Sequence, residues 1–278
     1  MAAQPRLICI GAQKAGTTWL HAMLRSHPSF DMLPTKEIHY FDTLYVKSLK
    51  EFNERRFKRA VRRVKKLEKA GEKVPPQARW FAAQHGQTID DAWYTNLFSN
   101  VKKGAIGCDF TPSYSLLPDA GVAHLTKLCP NARILFLLRD PVERSFSQVR
   151  MRIEAKEMPR NAQAMMRFAK AGNNIKRSRY VEIIKRFSAQ VPKERFKVMF
   201  YDDISIRPLH LLEEVCRFVD VPFAAAQFPK ASKKIYVGTE MRMPPEVRSY
   251  LVSEHLPTIR ALAETYPTAK GWLEKYGG

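Results

Sequence analysis

The stretch Gly11-Ala12-Gln13-Lys14-Ala15-Gly16-Thr17-Thr18 carries the residue types that grip an anion. Gly11 and Gly16 bracket a loop whose backbone N–H groups can turn inward, and Lys14 places a full positive charge inside it. Ahead of the loop, Leu7-Ile8-Cys9-Ile10 is a short apolar run that predicts a buried strand. From Thr17 onward the spacing is helical, with Trp19 and Met23, or Leu20 and Leu24, four apart. The unpaired N–H groups of the first helical turn and the positive end of the helix dipole then face the loop. A magnesium-nucleotide loop needs Gly-Lys-Ser/Thr at its end, and here Thr17 follows Gly16 directly while the lysine sits two residues before it. Two readings remain at this point: an anion site for something other than a nucleoside triphosphate, or a strand-to-helix turn that binds nothing.

Two more stretches could do chemistry. Lys36-Glu37-Ile38-His39-Tyr40-Phe41-Asp42 sets a carboxylate between a lysine and a histidine, which suits proton abstraction if the carboxylate is partly buried. Arg139-Asp140-Pro141 ends the strongest apolar run in the chain, Ile134 to Leu138, and Asp140 and Pro141 are suited to cap and open a helix. That helix carries Ser147 eight residues after Arg139. A planar guanidinium with a hydroxyl nearby is a phosphate ligand; the same Arg139-Asp140 pair also reads as a surface ion pair of little energetic weight.

Taken together these segments resemble those of sulfotransferases that use 3'-phosphoadenosine-5'-phosphosulfate (PAPS). Gly11 to Thr18 is similar to their phosphosulfate loop, and Arg139-Asp140-Pro141 with Ser147 to their 3'-phosphate-binding segment. Lys36 to Asp42 resembles the K-E-x-x-[FY]-F-D segment of the heparan-type members, in which the glutamate is the catalytic base. The resemblance implies in-line transfer of a sulfuryl group to an acceptor hydroxyl or amine, with release of adenosine 3',5'-bisphosphate (PAP) and no metal. It implies cofactor contacts from Gln13, Lys14, Ala15, Gly16, Thr17, Thr18, Arg139 and Ser147, and from Lys234 and Arg242 on a basic loop before the last helices. Lys14 and Glu37 take catalytic roles; His39 stands beside them as rival base, acceptor ligand or structural histidine. One departure concerns the acceptor side, where Asp109-Phe110 stands in place of the Glu-Lys of G-E-K-T-P-x-Y.

The elements that must position these residues alternate. Strands at 104–110, 133–138 and 196–201, and helices at 119–128, 180–190 and 209–219, predict an α/β, P-loop-like parallel sheet flanked by helices, the sulfotransferase fold, with ligand at the carboxyl ends of the strands. A single domain over 1–278 is expected, with a basic helical insertion at about 44–103. Within it, residues 49–70 read as a helix; Lys50 to Lys73 holds eleven Lys or Arg against four Glu, either an acceptor patch or a solvated face. The aromatic residues Trp80, Phe81, Trp93, Tyr94 and Phe98 read as core or as a sugar platform. The chain as a whole has a net charge of +20, which favours anionic partners: PAPS, and an acceptor such as an acidic oligosaccharide, with a lipid or small natural product as alternatives. Nucleic acid would rest on net charge alone, and a P-loop kinase lacks its Gly-Lys-Thr. No run reaches the length of a membrane span and no apolar leader precedes the first strand, so a cytoplasmic, bacterial enzyme is expected, or one shorn of an anchor. Cys9, Cys108, Cys129 and Cys216 are too far apart for a zinc motif and read as free thiols. Oligomeric state is not legible.

Overall fold

A computed structural model describes residues 4–233 and 240–277. Five parallel strands form one sheet in the order β2-β3-β1-β4-β5: β1 (Leu7–Gly11), β2 (Phe30–Met32), β3 (Ile106–Phe110), β4 (Arg133–Leu138) and β5 (Phe196–Phe200). β1 lies at the centre and every residue in it is buried. Its side chains alternate between two cores. Ile8 and Ile10, with Ile134, Phe136 and Leu138 of β4, face one layer of helices; Leu7 and Cys9, with Leu135 and Leu137, face the other. Burial on both faces is why these strands read as unbroken apolar runs rather than as alternating ones.

Helix α1 (Thr17–Leu24) covers the second face with Trp19, Leu20, Met23 and Leu24. Among the helices that pack on the first face are α3 (Asp119–Leu128), α4 (Pro141–Glu154) and α5 (Tyr180–Ser188), each through residues at helical spacing such as Val142, Phe146 and Val149 of α4. Asp140 caps α4 as expected, its carboxylate accepting from the N–H groups of Val142 and Glu143 at 3.0 and 3.3 Å.

The chain leaves β1 toward β2 on one side, returns to β3, and then crosses to β4 on the other side. The connections after β1 and β4 therefore diverge, and the crevice between their carboxyl ends is the place where such sheets take ligands.

The predicted basic insertion is helical: Phe41–Tyr45, α2 (Phe52–Lys69), Pro76–Ala83 and Asp91–Asn96 lie between β2 and β3. α2 begins at Phe52 rather than 49, because Lys47–Leu49 forms a separate 3-10 turn. The insertion is not an appendage. Phe57, Ala60, Phe81, Trp93, Tyr94 and Phe98 all join the first core and Trp80 packs partly buried against it, so Phe81, Trp93, Tyr94 and Phe98 are packing and not a sugar platform. β2, only three residues long with Phe30 alone buried, leaves no periodic signal and was not expected from the sequence. Among the described residues no helix is long and apolar enough to cross a membrane, and no group of three or more His, Cys, Asp or Glu is placed to hold a metal. All four cysteines are buried and free.

Candidate functional site

The turn after β1 holds Lys14 at φ 73° and Gly16 at φ 86°, two left-handed residues that wrap the backbone around the start of α1. Gly16 cannot readily be anything else. A Cβ there would lie 2.3 Å from Ile204 Cδ1 and 2.8 Å from the ring of Tyr201, in a backbone region L side chains avoid. No side chain caps α1, so its first-turn N–H groups are left to the loop side.

The end of β4 approaches the same turn. Arg139 Nη1 donates to the Lys14 carbonyl at 3.1 Å, and its guanidinium lies 4.5 Å from the centre of the Tyr201 ring. Tyr180 at the head of α5 donates to the Arg139 carbonyl at 2.9 Å, holding that residue from behind. Burial lowers the Lys14 pKa; Arg139, Arg150 and Lys36 push it the same way and Glu154 opposes them. Cations thus crowd a loop rich in backbone donors, which is a setting for a multiply charged anion.

Lys36 closes the other side. Its ammonium donates to the hydroxyls of Thr17 and Thr18 at 3.0 and 2.9 Å and stands 3.8 Å from Glu37 Oε1. The Glu37 backbone, at φ 65°, is pinned by its N–H donating to the Phe110 carbonyl at 3.0 Å and by Arg56 donating to its carbonyl at 2.5 Å. Arg56 sits on α2 and stacks 3.8 Å from the Phe81 ring; Asn53, one turn earlier, donates to the carbonyls of Ile38 and His39. The buried face of α2 is therefore what holds the segment 36–39 against β3, while most of its Lys and Arg side chains face solvent.

A chain of polar contacts continues inward from Glu37. Its Oε2 lies 3.3 Å from His39 Nε2, His39 Nδ1 lies 2.6 Å from Asp42 Oδ2, and Ser113 donates to the same Asp42 oxygen. Burial alone would raise the Glu37 pKa. The hydrogen bond from His39 and the charges of Lys36, His39 and Arg56 outweigh it and hold the carboxylate at about 2. Burial would lower His39; its bonds to Asp42 and Glu37 prevail and raise it. Glu37 is the outward member, its side chain 35% exposed against 7% for His39, so an incoming acceptor meets the carboxylate before the imidazole.

The sequence-predicted residues fall into place unevenly. Gln13, Lys14, Ala15, Gly16, Thr17, Thr18 and Arg139 are gathered at one crevice, with Glu37 and His39 joined to it through Lys36. Ser147 is buried on α4. Arg242 is exposed on the segment before the helix Pro245–Ala263, and Lys234 lies outside the described residues. Asp109, where the heparan-type pattern has glutamate, is fully buried; burial raises its pKa to about 6 against hydrogen bonds from Thr111 and Tyr94 at 2.6 and 2.9 Å, so it braces the core beneath the site. Asp42, Ser113, Arg56 and Tyr201 belong to the site and were not expected as such, although Asp42 closes the same short motif as Glu37. A cavity of about 690 Å³ also borders Arg139, but Asp140, Glu143, Asp202 and Asp203 line it and none of loop 12–16 does, which ill suits a phosphate.

The family model described as "Sulfotransferase family" matches residues 5–225. The chain belongs to the sulfotransferase family. Among curated relatives, the chain is 30% identical over 150 residues to the membrane-associated sulfotransferase kil1 of Dictyostelium discoideum, covering 54% of this chain and 23% of that protein. It is 27% identical over 143 residues to mouse heparan sulfate glucosamine 3-O-sulfotransferase 3B1, covering 51% and 25%, and 22% identical over 277 residues to human heparan sulfate glucosamine 3-O-sulfotransferase 5, covering 90% and 67%. The chain thus spans about a quarter of the length of the first two. A sulfotransferase from Alicyclobacillus acidocaldarius has the same fold, with TM-score 0.65 at 20% identity over 96% of this chain and 99% of that one. Mouse sulfotransferase SULT7A1 complexed with PAP superposes with TM-score 0.52 at 10% identity, covering 98% and 89%.

The site fits PAPS on its own observations. An uncapped helix start, the Lys36 ammonium and the Arg139 guanidinium converge on the loop that carries Lys14.

Proposed function

We propose that this sulfotransferase moves a sulfuryl group from PAPS to a hydroxyl of a carbohydrate acceptor. The observation that carries the reading is Lys36, which touches the start of α1 through Thr17 and Thr18 and reaches to 3.8 Å from Glu37. One cation thereby spans the anion loop and the one outward carboxylate beside it.

In this reading the loop amides and Lys14 receive the 5'-phosphosulfate, while Arg139 and Ser147 receive the 3'-phosphate that distinguishes PAPS from ATP. Glu37 takes the proton of the acceptor hydroxyl as that oxygen bonds to sulfur and the sulfur–oxygen bond to the 5'-phosphate breaks, leaving PAP. A carboxylate held at about 2 is a weak base, but it is ionised at every physiological pH, and the hydroxyl becomes strongly acidic as its bond to sulfur forms. His39 orients Glu37 and shares its charge with Asp42. Lys14 and Lys36 neutralise charge that builds on the departing phosphate oxygen. The relatives named for heparan sulfate glucosamine support a carbohydrate acceptor.

Calorimetric titration with PAP and with ATP, followed by incubation of labelled PAPS with a panel of oligosaccharides, tests the reading. Binding of PAP in preference to ATP and transfer of label to a hydroxyl are expected. Equal binding of both nucleotides, or label transfer that survives Glu37→Gln unchanged, would overturn it.

A further inference from the structure

The last helix, Pro267–Lys275, reaches back to the carboxyl ends of β4 and β5 and grips the residue next to each of two groups at the candidate cofactor site. Asp140, which follows Arg139, is buried, and its two oxygens have separate tasks. Oδ1 caps α4. Oδ2 accepts from the Tyr276 hydroxyl at 2.6 Å and from the Lys275 ammonium at 3.0 Å, and the same ammonium donates to Glu143 Oε1 at 3.0 Å. On the β5 side, Trp272 packs its ring 5.6 Å from that of Phe200 and donates from Nε1 to Asp202 Oδ1 at 3.1 Å. Asp202 follows Tyr201, whose ring stands 4.5 Å from the Arg139 guanidinium and whose N–H donates to the Leu138 carbonyl at 2.6 Å. The helix lies beyond residues 5–225, which the family model matches.

A helix cap needs one carboxylate oxygen, and α4 already has it. The bonds to the other oxygen, from residues 135 and 136 positions away, are therefore not needed to start that helix. What they fix is the direction of the 139–140 peptide, while the bond to Asp202 fixes the residue that carries on from the Tyr201 ring. Those two features aim the guanidinium, with Tyr180 holding the Arg139 carbonyl from behind. Arg139, Asp140, Tyr201, Asp202, Trp272 and Lys275 all line the cavity of about 690 Å³, so the strand ends are not held there by close packing and the hydrogen bonds must do it. A long side chain that grips a phosphate gives up its rotamer freedom; one already aimed has less to give up and binds more tightly. We propose that Lys275 and Tyr276, with Trp272 on the β5 side, are positioning residues that pre-aim Arg139 at the 3'-phosphate of PAPS, acting through the two strand ends. The proposal rests on the reading of Arg139 as the 3'-phosphate ligand and adds what holds it in place.

The test is calorimetric titration of the full chain with PAP and with 5'-AMP, which keeps the adenosine and the 5'-phosphate and lacks the 3'-phosphate. Tyr276→Phe removes one hydroxyl and leaves the ring, and should weaken PAP binding on the order of three- to tenfold; Lys275→Met added to it should bring the loss to roughly tenfold or more. Affinity for 5'-AMP should stay within about twofold in both variants. In an Arg139→Ala background the same pair of substitutions should change PAP affinity by less than about twofold, because the group they aim is gone. A helix that only braced the fold would cost both nucleotides alike, and would cost as much without the arginine. Equal losses for PAP and 5'-AMP, an unchanged PAP affinity in the doubly substituted chain, or an undiminished loss in the Arg139→Ala background would each overturn the proposal. If Arg139→Ala by itself weakens PAP and 5'-AMP equally, the reading of Arg139 beneath it falls instead.

Discussion

Arg139 donates to the backbone carbonyl of Lys14 at 3.1 Å, a bond between residues 125 apart in the chain that joins the ends of the two central strands. It aims the guanidinium at the loop, and the Tyr201 ring 4.5 Å away limits where it can swing. The two segments expected to hold the cofactor are in this way brought side by side.

The first prediction follows from that bond. Arg139→Ala should weaken PAP binding on the order of 10- to 100-fold, the range of a charge-assisted phosphate contact, and weaken 5'-AMP binding far less. Parallel calorimetric titrations of both nucleotides against both proteins measure the ratio. A loss equal for the two nucleotides would place Arg139 away from the 3'-phosphate.

Glu37→Gln keeps the size of the side chain and removes the proposed base. The turnover number should fall by about 10²- to 10⁴-fold, while PAP affinity holds. Initial rates with labelled PAPS, alongside PAP titration of the same preparation, check both halves of the statement.

His39 gives a pH signature with a definite sign. Its pKa is raised above the ordinary 6.5 because the bonds to Asp42 and Glu37 outweigh burial. The protonated imidazole therefore contributes stability that is complete below about 6.5 and is lost as pH climbs through the raised value. Thermal unfolding from pH 6 to 9 should show a declining Tm over that span, and His39→Asn should flatten the slope. A slope unchanged by the substitution would assign it to other groups.

Gly16→Ala forces an L side chain to φ 86° and into the Tyr201 ring. A destabilisation of about 1–3 kcal/mol is expected, with PAP binding impaired because the loop must shift. Urea unfolding monitored by fluorescence gives the first quantity and calorimetry the second.

How much of this could be read without coordinates depended on the range of each signal. The strand before Gly11, the cap and proline at Asp140 and Pro141, and the apolar run of β4 announced themselves because a buried parallel strand and a helix start are written in a handful of adjacent residues. The motif at Lys36 to Asp42 was equally visible, since its members are neighbours in the chain. The three-residue β2 was not, because a strand so short has no period to detect.

From the sequence alone came the candidate anion loop, the arginine proposed for the 3'-phosphate and the candidate base. Tertiary structure alone decided that Lys36 reaches from Thr17 and Thr18 to Glu37, that Arg56 and Asn53 of α2 hold the segment around Glu37 in place, and that Asp109 is internal bracing. It alone joined the last helix to Asp140 and Asp202, the neighbours of Arg139 and Tyr201. The physical reason is that a cap or an apolar period is a local property of the backbone. Whether a polar side chain finds a partner depends on which distant elements pack around it, and no stretch of sequence contains that information.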